Sequence, residues 1–134
     1  MTSSRALRLL WFFGMALCLV AGCSVSPSEE TARRFVDVYY LQIDLEEAQG
    51  VTEGLAREKI EGEIRLKTGQ TIAADTRKPK MSYKKAGHQM DGEGEVYFFE
   101  LRIQPKDFPE IQRKLRIVVR KGEKSWKVTQ FSEG

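Results

Sequence analysis

Tyr97-Phe98-Phe99-Glu100-Leu101-Arg102-Ile103 changes character at every residue. Tyr97, Phe99, Leu101 and Ile103 fall on one side of an extended chain, and Phe98, Glu100 and Arg102 on the other. A period of two built from aromatic and branched side chains marks a strand with one face in a core and one in water. The pattern repeats on both sides. Upstream, Met81 and Tyr83 alternate with Ser82 and Lys84, and Asp91-Gly92 with Gly94 supplies a hairpin turn. Downstream, Gln104 to Glu110, with Pro105 and Pro109, is a connection, after which Leu115, Ile117 and Val119 alternate with Arg116, Val118 and Arg120. Gly122 turns the chain, and Trp126 and Val128 begin a last strand ending near Phe131. The spacing predicts four strands in an antiparallel meander.

Before the meander the period is helical. Ser26-Pro27-Ser28-Glu29 has a cap, a proline suited to the first helical position and the acid of a capping box. Ala32, Phe35, Val36, Tyr39 and Ile43 then recur on one face, while Val38 and Leu41 fall elsewhere, so more than one flank is expected to be covered. Asp44 caps a short second helix through Ala48, stopped by Gly50. Thr52 is a candidate cap for a third helix, where Ala56, Ile60 and Ile64 sit four apart with Leu55 beside them and Gly62 weakens the run. From Lys67 to Lys80 the periodicity is lost. Helices first and strands after predict an α+β fold: two or three N-terminal helices packed on a curved four-stranded antiparallel sheet.

The start of the chain has a different purpose. Arg5 and Arg8 precede a mostly apolar run from Leu9 to Val20, shorter than the roughly 20 apolar residues a bilayer span needs. The run closes on Val20-Ala21-Gly22-Cys23, which resembles the lipobox of bacterial lipoproteins. The resemblance implies a leader over residues 1–22, acylation at Cys23, a lipidated cysteine and short stem over 23–28, and a single domain over 29–134. Each buried methylene contributes ~0.8 kcal/mol, so several acyl chains would hold the protein at a membrane. Ser24, rather than aspartate, follows the cysteine. In such lipoproteins this implies the outer membrane, facing the periplasm, over inner-membrane retention. Ser24 to Ser28 spans under ~20 Å, which keeps the domain close to the bilayer.

Removing residues 1–22 of the 134 leaves 112, enough for one domain with a modest core. Its one cysteine would be Cys23, since Cys18 lies in the leader, so packing alone must hold it in a disulfide-permissive compartment. The charge is unevenly spread. Glu29 to Glu63 holds ten acids and four bases, and Ile64 to Gly134 sixteen bases and nine acids. A basic C-terminal half could face anionic head groups; a solvated sheet face with alternating Lys and Arg gives the same composition.

The closing stretch Gly122-Glu123-Lys124-Ser125-Trp126-Lys127-Val128-Thr129-Gln130-Phe131, together with the layout of helices on a curved sheet, resembles the nuclear transport factor two-like, or cystatin-like, cone. Phe35 and Tyr39 are placed like the helix-one aromatics that close it. The resemblance implies a cone lined by Phe35, Tyr39, Tyr83, Phe99 and Trp126. Such domains usually carry another helix between early and late strands. Gln104 to Glu110 is too short for one, which implies a reduced member.

Enzymes on that fold, ketosteroid isomerases and polyketide cyclases among them, set a carboxylate base and an acid donor inside the cone. Asp37, Asp44 and Glu100 are the acids near apolar segments; Asp37 falls opposite the Phe35–Tyr39 face and Glu100 opposite Phe99 and Leu101. Neither is expected to point inward, so no catalytic residue is assigned. His88 is the single histidine, which leaves neither a zinc set nor a Ser-His-Asp triad. Asp91, Glu93 and Glu95 imitate the start of a calcium loop, but Val96 stands where glycine is needed and Arg102 where glutamate is. Ser82-Tyr83-Lys84-Lys85 and Lys67-Thr68-Gly69 match fragments of penicillin-binding enzymes in the wrong order. No metal or cofactor is expected. Neither is nucleic acid, because an exported, lipid-anchored domain seldom meets it. The reading is a lipid-anchored envelope protein that binds a protein partner or an apolar ligand without catalysis. The alternatives are an isomerase-like enzyme or carrier using the cone, and docking of the basic sheet on an anionic membrane.

Overall fold

A computed structural model describes residues 25–67 and 79–134. The leader, the Val20-Ala21-Gly22-Cys23 stretch, the acylation site Cys23, Ser24 and most of the segment from Lys67 to Lys80 lie outside the described residues. Helix α1 runs over Pro27–Val36, a wider π turn over Asp37–Leu41, α2 over Leu45–Gly50 and α3 over Gly54–Lys67. Strands β1 (Lys80–Asp91), β2 (Gly94–Gln104), β3 (Ile111–Lys121) and β4 (Trp126–Glu133) follow. They form one antiparallel sheet in the order β1-β2-β3-β4. The α+β architecture read from the two periods is the one observed.

The first helix starts where its sequence asks. Ser26 Oγ accepts from the Glu29 backbone N–H at 3.3 Å, and Pro27 occupies the first turn. Ser28 is buried, so the folded body already includes the end of the short polar stretch. Glu29 does something other than complete a capping box: its carboxylate takes Lys85 Nζ at 2.7 Å and Arg33 at 3.6 Å. An acid with two cations in reach is drawn from the local cap into a tie between α1 and the sheet edge.

After Val36 the helix widens. Gln42 N–H donates to Asp37 O, a five-residue step, and Asp44 N–H donates to Val38 O. The extra residue rotates the apolar face, which explains why Val38 and Tyr40 are buried although a uniform helical period places them elsewhere. Ile43, expected on the buried face, is exposed and carries φ 54°, a left-handed backbone that a β-branched residue adopts only under strain. Asp44 caps α2 as its sequence suggests, accepting from Glu47 N–H at 3.1 Å.

Thr52 corrects another expectation. It does not cap α3. The backbone around it runs parallel to β4, with Glu53 N–H donating to Val128 O and Val128 N–H to Val51 O, each at 2.9 Å. The free edge of β4 is thereby covered, and that need outweighs a cap. On α3, Ala56 and Ile60 enter the core and Ile64 packs against it, whereas Leu55 points to solvent. The connection from Pro105 to Glu110 forms no helix and turns through a left-handed Asp107, as its length predicts.

Tyr97, Phe99, Leu101, Leu115, Ile117, Val119, Val128 and Phe131 project from one face of the sheet into the core. Ala32, Phe35 and Val36 of α1 meet them. Register shifts between Lys85 and Gly87 and between Val118 and Val119 are bulges that bend the strands and curve the sheet around α1.

Candidate functional site

A cone acts as a site if space remains inside it. Of the five residues expected to line it, Phe35 and Phe99 are wholly buried, and Tyr39, Tyr83 and Trp126 are half-buried. Phe35 stacks on Tyr39 with centroids 5.2 Å apart, and Phe131 closes against both at 4.8 and 4.9 Å. Tyr40 meets Tyr39 edge-on at 4.7 Å. Tyr83 meets Phe99 edge-on at 5.6 Å on the β1–β2 side. Trp126 packs against the core and makes no ring contact with either group among the described residues. These separations are those of rings in contact, so the aromatics occupy the region under α1. Phe131 and Tyr40 belong to this set and were missed as lining residues; the period-two reading of β4 placed Phe131 at a strand end, and the π turn hid Tyr40.

At the mouth of the cone a shallow depression of about 240 Å³ lies between Tyr39, Tyr40, Leu101, Ile103, Glu63 and Glu133. Tyr39 donates from its hydroxyl to Glu63 Oε1 at 2.6 Å. This is the nearest approach to a carboxylate beside a tyrosine, and it was not visible in the sequence, because Glu63 lies 24 residues away on another helix. Burial first, then the bond to Glu63, push the Tyr39 phenol well above its usual range; burial does the same to Tyr40, with the charges of Glu133 and Glu63 adding. Both therefore stay protonated at neutral pH, and Tyr39 is already spent as a donor. Asp37 does not enter the aromatic cluster. It lies near Tyr83, whose phenol is raised by burial first and then by the Asp37 carboxylate. Glu100 pairs with Lys84 at 3.2 Å on the opposite face of the sheet.

A second, polar cluster sits where α1 begins. Tyr97 reaches Ser28 Oγ at 2.7 Å and Ser26 Oγ at 3.3 Å, and donates to Glu95 Oε2 at 3.3 Å. His88 stacks on the Tyr97 ring at 4.5 Å with Nε2 3.7 Å from Glu95 Oε1. The histidine thus has a packing role at the sheet edge. Asp91 and Glu93 lie at the β1–β2 turn, and no group of acids, histidines or cysteines able to hold a metal occurs among the described residues. Outside the cone, a broad groove of about 620 Å³ runs between α1 and α2 past Arg33, Arg34, Asp37, Val38 and Glu47. Among the described residues no helix is long and apolar enough to cross a membrane.

No family model matches the sequence, and no curated protein matches it. Solved structures do. A chain named for the calcium/calmodulin-dependent protein kinase type II association domain, from Thiobacillus denitrificans, is 14% identical with a TM-score of 0.58, over 83% of this chain and 97% of that one. A domain of unknown function with a cystatin-like fold from Nostoc punctiforme is 10% identical with a TM-score of 0.56, over 82% and 78%. The protein Rd1NTF2_05, in a substituted form, is 11% identical with a TM-score of 0.55, over 79% and 95%. At such identities the likeness concerns the fold, which is the nuclear transport factor two-like, cystatin-like cone.

Proposed function

We propose that this chain is a lipid-anchored envelope protein whose cone-like domain binds a protein partner through its surface and catalyses nothing. The observation that supports this reading is the occupied interior: Phe35 and Tyr39 stack on each other and each meets Tyr40 and Phe131 under α1. The depression left at the mouth, about 240 Å³, is smaller than the roughly 300–1,000 Å³ of most small-molecule sites. An apolar ligand is therefore the less favoured occupant. An isomerase-like reaction would need a carboxylate free to take a proton and a donor free to give one. Glu63 and Tyr39 engage each other instead.

The anchor is read from Val20-Ala21-Gly22-Cys23, and the periplasmic face of the outer membrane from Ser24. Two measurements test the reading. In intact cells, photo-cross-linkers placed at Arg34 and Gln42, beside the α1–α2 groove, should give a protein adduct of one defined mass. Native mass spectrometry of the purified protein should show acyl modification that Cys23→Ser abolishes, and no retained small molecule. A co-purifying apolar ligand would overturn the choice of a protein partner.

A further inference from the structure

The fold sorts charge by layer. Residues 25–67, which form the helices, hold ten acids against six bases, and residues 79–134, which form the sheet, hold twelve bases against eight acids. Much of that excess lies on the face of the sheet turned away from the helices. The register places Lys84, Glu100 and Lys114 in one row, Phe98 and Arg116 in the next, Gln89, Val96, Val118 and Gln130 in a third whose two valines are buried, and Asp91, Gly94 and Arg120 at the hairpin end. Arg102 shares the face. Lys114, Arg116 and Arg120 have no carboxylate partner among the described residues, while Lys84 pairs with Glu100 at 3.2 Å and Arg102 stands 3.9 Å from Glu110. The glycines on this face leave room for large side chains to lie flat: a Cβ on Gly87 would meet the Phe98 ring at 3.5 Å, and one on Gly94 would meet Arg120 Cγ at 3.0 Å. From Lys114 to Arg120 is about 20 Å along a strand, and from β1 to β3 about 10 Å across. The result is a broad basic face, the convex side of the curved sheet, with half-buried Phe98 and the buried Val96 and Val118 at its centre.

We propose that this outer sheet face docks on a bilayer of anionic phospholipid, and that its charge turns the acidic helices away from the lipid. Long basic side chains around an apolar centre are complementary to phosphates with an apolar layer behind them. The opposite sign of the helical layer makes the reverse orientation unfavourable near the same surface. Val25, the first described residue, is two positions after Cys23, or about 7 Å of extended chain. An anchor there would keep the domain within reach of the bilayer's field, whose range is ~8 Å at physiological salt. The α1 start lies beside Tyr97 and Glu95, at the hairpin end of the sheet, so that end would lie nearest the anchor. The docking itself does not depend on how the chain is held.

The test uses the full chain incorporated into vesicles, whether its apolar leader or an acylated cysteine holds it there. Amine-reactive labelling is read by mass spectrometry at Lys114 on the outer face and at Lys67 at the end of α3. With about one-third phosphatidylglycerol and low salt, Lys114 should label roughly threefold or more slowly than in phosphatidylcholine vesicles, with Lys67 unchanged. About 0.5 M salt should remove the difference, and so should the Arg102→Glu, Arg116→Glu, Arg120→Glu combination. A milder set, Arg116→Gln with Arg120→Gln, serves if the charge reversals unfold the sheet; it should reduce the difference. Equal labelling on both lipids overturns the proposal, as does protection that survives salt and both sets of substitutions. Protection seen only in intact cells and never on vesicles would assign the face to an acidic protein and overturn it as well.

Discussion

Phe35→Ala asks most of the packing account. Phe35 is wholly buried and touches three rings, Tyr39 at 5.2 Å, Phe131 at 4.8 Å and Tyr40 at 6.3 Å. Truncating a buried phenylalanine costs about 3–5 kcal/mol, the transfer of the ring plus the cavity it leaves. Aromatic pairing contributes about 0.5–1.5 kcal/mol beyond area for a pair, which places this position in the upper part of that range. A domain of this size has roughly 5–15 kcal/mol in all, and 1 kcal/mol moves the midpoint by about 4–8 °C. A loss of 15 °C or more is thus expected, on the order of half the stability of a modest fold. Urea unfolding followed by Trp126 fluorescence measures it, provided the slope of the transition is unchanged. A cost below about 1 kcal/mol would refute the reasoning, because a ring lining an open cavity is already solvated and loses little on removal.

Three other perturbations bear on particular contacts. The hydrogen bond from Lys85, with the charges of Lys85 and Arg33 adding, holds the Glu29 carboxyl below its ordinary 4.5 against the opposing effect of burial. A carboxyl lowered on folding stabilises above that value and loses its contribution as pH falls through the folded one. Glu29→Gln should therefore cost about 0.5–1 kcal/mol at pH 7, and the gap from the parent should close as pH drops below 4.5, as thermal melts across that range would show. In an ultraviolet titration, Tyr39 and Tyr40 should remain protonated at pH values where a free phenol, near 10.0, has ionised; ionisation of all the tyrosines together near 10 contradicts the burial described. Gly92 turns the β1–β2 hairpin at φ 58°, so Gly92→Ala should cost about 1 kcal/mol in chemical denaturation although a Cβ there would meet nothing within 4 Å.

The strands were legible because their signal is repeated. Tyr97 to Ile103 and Leu115 to Val119 carry the alternation through central strands, and Asp91-Gly92 and Gly122 mark the turns between them. Ser26, Pro27 and Asp44 were legible because caps act within one turn of helix. What failed was set by distant partners. Thr52 has the chemistry of a cap, yet its backbone is claimed by Val128, 76 positions later in sequence. Ile43 and Leu55 have core chemistry and are exposed, the first because the π turn shifts the face, the second because α3 lays only Ala56 and Ile60 deeply on the sheet. The site followed the same rule. Local spacing put Phe35, Tyr39 and Phe99 on inward faces and the resemblance to the cone grouped them, but that Phe35 stacks on Tyr39, and that Glu63 occupies Tyr39, are facts of the folded geometry.

Xenon titration followed by methyl nuclear magnetic resonance tests the filled cone most directly, since xenon enters dry apolar cavities. Leu101, Leu115 and Ile117 lie at the core face of the sheet and supply the reporting methyls. Their resonances should not move in the parent protein and should shift saturably in Phe35→Ala. Saturable shifts at these methyls in the parent would mean that the cone holds open space, and the assignment of its work to the outer surface would be contradicted.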